Sequence, residues 1–187
     1  EDHAILFRLS ETLDQVEREF DAYEFNSALH AIYHFFRTDF CDWYVEVSKA
    51  KLKDDALRET CLAVQDLCLR QTLLLLHPVT PFITDELWTR LGYASETTPT
   101  IQYVSPGVGA DLSKKLAKHN LELDSSAGGE IADLREVVTA LRALKAERNL
   151  ATNKNVALSF LADEGKAATL KRHMEKVLIF AGAASLK

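Results

Sequence analysis

The sequence predicts a mainly α fold: a helical bundle over residues 1–110, then a smaller part, 111–187, that mixes helix with strand. Three observations predict it. Apolar residues recur at steps of three and four along successive segments between Ile5 and Trp88, the period of a helix burying one face. Glycine and proline number only 7 and 4 in 187 residues, too few to punctuate a many-turned β fold. A late stretch, NVALSFLA at 155–162, instead alternates in part and is rich in strand formers.

The first helix is set by Ile5, Leu9, Leu13, Val16, Phe20 and Tyr23 on one face, with Glu11, Asp14, Glu17, Arg18 and Asp21 over much of the rest. A second helix opens near Phe25 or Asn26. It carries a wide stripe of Leu29, Ile32, Tyr33, Phe36, Phe40, Trp43, Tyr44 and Val47. LKDDA at 52–56 is the predicted connection to a third helix, which carries Leu57, Cys61, Val64, Cys68 and four leucines in a row at 73–76. That run leaves no polar face and must be buried on most sides. HPVTP ends the helix, because Pro78 donates no backbone hydrogen bond and biases His77 away from helical angles.

FITDELWTRL restarts a helix, with Thr84 as N-cap and Asp85 and Glu86 in its first turn. Residues 92–110 hold two prolines and three glycines and one short strand candidate, 100–104; SSAGGE at 125–130 reads as a further loop. The subdomain boundary is expected between 92 and 128. Ile131, Leu134, Val137, Val138, Leu141 and Leu144 then make another amphipathic helix. A single closing helix is expected over 164–183, ending at Gly182.

Charge and cysteine usage narrow the function classes. Net charge is −6, divided into −9 over residues 1–110 and +3 over the remainder. An acidic first part argues against indiscriminate nucleic-acid binding, which needs clustered cations, but not against a local contact. Cys41, Cys61 and Cys68 form no CxxC pair, and Cys61 and Cys68 share a helical face where small buried hydrophobes belong. An odd count at such positions points to a reducing, cytoplasmic setting. No apolar run approaches the length of a membrane span, and no secretory signal opens the chain. The start at Glu1 rather than Met points to a fragment of a longer protein.

Each polar cluster has an ordinary reading beside the chemical one. His30 and His34 lie one turn apart, but zinc needs a third and usually a fourth ligand, and no metal site is expected. Asp39, Asp42 and Glu46 line one side of the second helix. A solvated face, with Glu46 pairing to Lys49 or Lys51, competes there with acid–base work, which needs a cleft. No glycine-rich phosphate loop, GxSxG elbow or nucleophile–base pair is visible, so no catalytic residue is expected in this chain. Arg135, Arg142 and Lys145 share one helical face with Arg148 beyond them, and a solvated cationic face competes there with a phosphate contact.

The ordered set of segments carries a resemblance. AYEFNSALHAIYHFFRTDFCDWYVEVSKAKL, then TLLLLHPVTPFITDELWTRLG, then VVTALRALKAERNLATNKNVALSF resembles the region downstream of the catalytic core in class I aminoacyl-tRNA synthetases. The FCDWY run at 40–44 is most similar to the valyl-tRNA synthetase family. The HPxxPFITxELW match, His77 to Trp88, is shared more broadly with isoleucyl and leucyl enzymes. The likeness runs from Ala4 to about Phe160 and is weakest from Ala94 to Gly129.

The resemblance implies an antiparallel helical bundle of the anticodon-binding type, then a small α/β subdomain that stops before any C-terminal coiled-coil arm. It implies that ATP and Mg belong to the parent catalytic core, since the HIGH and KMSKS signatures are absent, and that this chain alone carries no cofactor and no ligase activity. The implied partners are tRNA, the valine-accepting species first, and the rest of the parent chain, with no membrane. Candidates for RNA contact are Arg8, Asn26, Arg37, Arg142, Lys145 and Arg148, with Lys49, Lys51 and Lys53 as phosphate partners. The alternatives are the equivalent domain of an isoleucyl, leucyl or methionyl enzyme, or a free-standing helical interaction module.

Overall fold

The structure, a computed structural model, describes residues 1–106, 112, 114, 125–150, 153, 155–159 and 164–186. The chain divides into two compact units, Glu1–Ser125 and Ser126–Lys187. The first is helical: α1 (Asp2–Asp21), α2 (Phe25–His34), a π-helical segment (Phe35–Tyr44), α3 (Val45–Lys51), α4 (Asp55–Leu76) and α5 (Pro81–Arg90). The second holds α6 (Ser125–Glu147), β1 (Ala157–Leu158), α7 (Glu164–Arg172), α8 (Met174–Ala181) and β2 (Ser185–Leu186). A mainly α fold with a small mixed part is what the periodicity predicts.

Contacts between residues distant in sequence show how the first unit is laid out. Phe20 meets Phe25 at 5.5 Å between rings, Arg8 reaches Asp39, and the Tyr44 hydroxyl donates to Asp2 at 2.7 Å. Early α1 thus lies beside late residues of the second helix, an antiparallel pair closed by a three-residue corner. Leu9, Leu13, Ile32, Phe35, Tyr44 and Cys68 form the common core. Tyr44 and Cys68 are buried, and both side chains are pushed well above their usual pKa, chiefly by desolvation, so Cys68 is an inert packing residue.

The predicted second helix runs continuously from Phe25 to Lys51, but its centre is wound as a π-helix, with backbone bonds from i to i+5. In an α-helix, residues five apart are about 140° out of line. The wider turn brings Phe35 and Phe40, and Asp39 and Tyr44, onto the same inner side. Phe36, Phe40 and Tyr44 stack as a ladder, with centroids 6.0 and 6.3 Å apart. Trp43 is buried as well, so the aromatics of the FCDWY run are scaffold. The expected solvated carboxylate face is corrected at Asp39, which is 3% exposed and held 3.4 Å from Arg8 Nε; Asp42 and Glu46 do face solvent, and Glu46 pairs with Lys49.

Further corrections follow from local hydrogen bonding. α5 begins at Pro81, where a missing N–H costs nothing, rather than after Thr84. Thr84 is buried and its hydroxyl donates to the Thr80 carbonyl at 2.9 Å, which leaves Oγ1 to accept from His77 Nδ1 at 2.8 Å. Asp85 is not in a first turn; it accepts from the Ile101 amide at 3.1 Å. That bond and the burial of Ile101 beside Leu73, Leu74 and Trp88 fix residues Ile101–Tyr103 as a 3₁₀ turn, not the expected strand. SSAGGE opens α6 instead of forming a loop, because the packing of Leu134, Val137, Val138 and Leu141 outweighs the roughly 1 kcal/mol that each glycine costs a helix.

In the second unit β1 and β2 pair in parallel, Ala157 opposite Ser185 and Leu158 opposite Leu186, which requires a crossover, supplied by α7 and α8. The expected single closing helix is broken at His173, whose backbone leaves the helical region (φ −114, ψ 18). His173 and Arg172 both reach Glu130 of α6, at 3.6 and 2.9 Å. α8 ends at Gly182 as predicted, and that residue sits in the left-handed region at φ 60. Residues 160–162 of the expected strand lie outside the described residues.

One packing contact gives a pH dependence. Burial pushes the Asp2 carboxyl up, but hydrogen bonds from Lys51 and Tyr44 and the Lys51 charge outweigh it and hold the group below its usual value. A depressed folded-state pKa stabilises the fold above the unfolded value, about 3.9, and the contribution is lost as pH falls through the folded value. Melting temperature should therefore fall more steeply for the parent chain than for Asp2→Asn below about pH 4. Parallel profiles would contradict the assignment.

Candidate nucleic-acid interface

The outward side of the second helix presents a row of groups suited to unpaired bases. Asn26, His30, Tyr33 and Arg37 follow at steps of four, three and four, and all are exposed. Tyr33 is 62% exposed, although its place in the sequence stripe assigned it to the core. The inner line is instead Ala28, Ile32 and Phe35, and Tyr33 stands one residue round the helix from it.

At the start of this row, the α1–α2 corner displays two more aromatics. Glu24 N donates to Glu19 O at 2.8 Å and Tyr23 N to Phe20 O at 3.0 Å, so α1 ends in a Schellman motif. Its left-handed position is Tyr23, with φ 61, where glycine is the usual residue. The Tyr23 ring is 81% exposed and stands edge-on to Phe25 at 6.1 Å. The same motif closes α5 at Gly92 and α6 at Asn149, residue types that reach this conformation cheaply. Tyr23 is thus the costly exception, and it holds an exposed ring in place.

The candidates from sequence sort unequally. Arg8 is partly exposed at the α1–α2 seam, bound to Asp39 and paired with Glu11. Asn26 and Arg37 lie on the exposed row, where Arg37 pairs loosely with Asp42 at 3.3 Å. Lys49 is exposed and paired with Glu46; Lys53 is exposed in the turn before α4. Lys51 is mostly covered and tied to Asp2 at 2.9 Å and Glu1 at 3.6 Å, so its charge is spent within the fold.

The α6 cluster is a solvated face at Arg142 and Arg148 but not at Lys145. The buried line of α6 runs Leu134, Val138, Leu141, Lys145, while Leu144 faces out. Lys145 is 3% exposed, and its ammonium donates to the Ala181 and Gly182 carbonyls at the end of α8. Arg142 Nε donates to the Phe180 carbonyl at 2.8 Å; Arg148 alone of the three has its side chain turned outward without a hydrogen bond among the described residues. Lys145 therefore caps a helix. Sequence reasoning missed His30, Tyr23 and Tyr33 as surface groups, and the signal for Tyr33 was its offset from the Ala28–Ile32 line.

A second exposed feature is apolar. Val79, Phe82 and Ile83 surround the α4–α5 corner, and Phe82 is 92% exposed. Among the described residues no group of three His, Cys, Asp or Glu side chains is placed to hold a metal, and no helix is long and apolar enough to cross a membrane.

A helical bundle with an aromatic and hydrogen-bonding row on one face offers the stacking planes and edge partners by which helical domains can hold unpaired bases. Residues 2–160 match the family described as the anticodon-binding domain of tRNA ligase, and the chain belongs to that family. Its relatives are more particular. The valine–tRNA ligase of Bacillus thuringiensis subsp. konkukian is 33% identical over 188 aligned residues, covering 99% of this chain and 20% of the relative. Those of Enterococcus faecalis and Thermotoga maritima are 35% and 36% identical, covering 84% and 83% of this chain and 17% and 16% of theirs. The chain thus spans a fifth or less of the length of these relatives.

Proposed function

We propose that this chain reads the anticodon region of the valine-accepting tRNA on behalf of a valine–tRNA ligase. The observation that carries the reading is the exposed row of Asn26, His30, Tyr33 and Arg37 on a helix of an anticodon-binding domain. Unpaired anticodon bases are recognised by stacking on aromatic or guanidinium planes and by hydrogen bonds to their edges. Each stacked base contributes roughly 1–3 kcal/mol, so a few contacts suffice without a basic surface. The acidity of the first unit is then no obstacle, because carboxylates accept hydrogen bonds from base amino groups.

Attachment of valine, with its ATP and Mg, belongs in this reading to a catalytic core outside these residues, and the chain alone is inactive. The setting is the cytoplasm, where translation runs. Val79, Phe82 and Ile83 offer a docking patch to the rest of the parent ligase. The support for valine over other amino acids is the name shared by the relatives quoted above.

Filter binding of this chain to individual purified tRNA species tests the proposal. The valine-accepting tRNA should bind most tightly, by about tenfold or 1.4 kcal/mol over isoleucine- and leucine-accepting species. Equal affinity for all three would sink the valine reading.

A further inference from the structure

We propose that the cleft between α1 and α2 is a pocket for one splayed-out RNA base bearing an exocyclic amino group: cytosine, adenine or guanine rather than uracil. The inference rests on the tRNA reading above and assigns a chemical preference to one place on that surface. The cleft has a volume of about 290 Å³, at the lower end of roughly 300–1,000 Å³ for small-ligand sites. Its walls are Arg8, Gln15 and Glu19 from α1 and Ser27, His30 and His34 from α2. It therefore adjoins the exposed row through His30. The larger hollow at Leu13, Phe20, Leu74 and Pro78 is lined mainly by apolar groups and lacks this directional chemistry.

Glu19 sets the preference. Its Oε1 accepts from Gln15 Nε2 at 2.8 Å, whereas its Oε2 is shielded from solvent and has no hydrogen-bond partner among the described residues. A shielded carboxylate oxygen without a donor is costly, and an entering N–H group recovers that cost. Cytosine, adenine and guanine each present an amino group on the base edge. Uracil's one edge donor, N3–H, lies between two carbonyl oxygens that repel a carboxylate. Arg8 closes the far end of the cleft, about 16 Å along α1 from Glu19, and on the facing α2 wall the imidazoles of His30 and His34 each offer a donor or an acceptor. These suit the ring nitrogens and carbonyls beside an amino group. Ser27, exposed on α2, stands at the rim.

The test uses the whole 187-residue chain and anticodon stem-loop RNAs of the valine-accepting tRNA, each loop base replaced in turn by uridine. At one loop position uridine should weaken binding about tenfold or more, the size of a charge-assisted hydrogen bond. Glu19→Gln, which removes the charge and adds an amide donor, should shrink that factor below about threefold and leave other positions unchanged, with no fall in melting temperature. Ser27→Leu, which fills the cleft from an exposed site, should do the same. If no position discriminates, or if both variants weaken every RNA by one common factor, the pocket is overturned while tRNA recognition stands. If no stem-loop binds at all, the pocket and the tRNA reading fall together.

Discussion

Replacing Trp88 with alanine should lower the stability of the helical unit by about 3–5 kcal/mol, the cost of deleting a buried aromatic. The indole is 0% exposed, enclosed by Leu73, Leu74 and Ile101, with the Tyr93 ring 5.0 Å away and the Arg70 guanidinium 5.2 Å above it. Arg70 cannot collapse into the vacated space without desolvating its charge, so the site relaxes poorly. The Tyr93 hydroxyl, bound to Asp66 at 2.6 Å, would lose its packing support as well. Urea denaturation gives the value directly. A loss below about 1 kcal/mol would show that the α4–α5 corner is not packed as described.

The second large effect lies in the other unit. Lys145→Ala should destabilise it by about 2–4 kcal/mol, because two carbonyls at the end of α8 lose a charged donor, and that of Ala181 is buried. The ammonium also sits at the negative end of that helix, 3.3 Å from where a Cβ on Gly182 would lie. Local hydrogen exchange in α8 reads the loss. The salt dependence of tRNA binding should not change, since a buried cation releases no counterion on binding. Unaltered exchange with a shallower salt slope would return Lys145 to the RNA surface.

Periodicity made the elements legible, and it failed where a local bond overrode the pattern. The spacing of Ile5, Leu9, Leu13 and Val16 defined α1, and Asp54, bonded to the Ala56 amide at 3.0 Å, caps α4 within the predicted connection. A π-helical segment is invisible to a reading that assumes 3.6 residues per turn, so the stripe from Tyr33 to Val47 came out too wide. Asp85 and Ile101 lie sixteen residues apart, and nothing local announces that one caps the other. Lys145 was misread because lysine is rarely buried; only the carbonyls of α8, brought by tertiary folding, make that burial tolerable. Of the candidate interface, Asn26 and Arg37 were legible as polar positions on a helix. Tyr33 and Tyr23 needed the fold to show that large rings stay outside.

Recognition of a tRNA through its anticodon loop is tested most directly by titrating the chain with the valine-accepting tRNA and with the same tRNA whose anticodon stem-loop is replaced by a short stable hairpin. Affinity should fall by at least about thirtyfold, some 2 kcal/mol from two or more lost base contacts. Equal binding to both RNAs would contradict it.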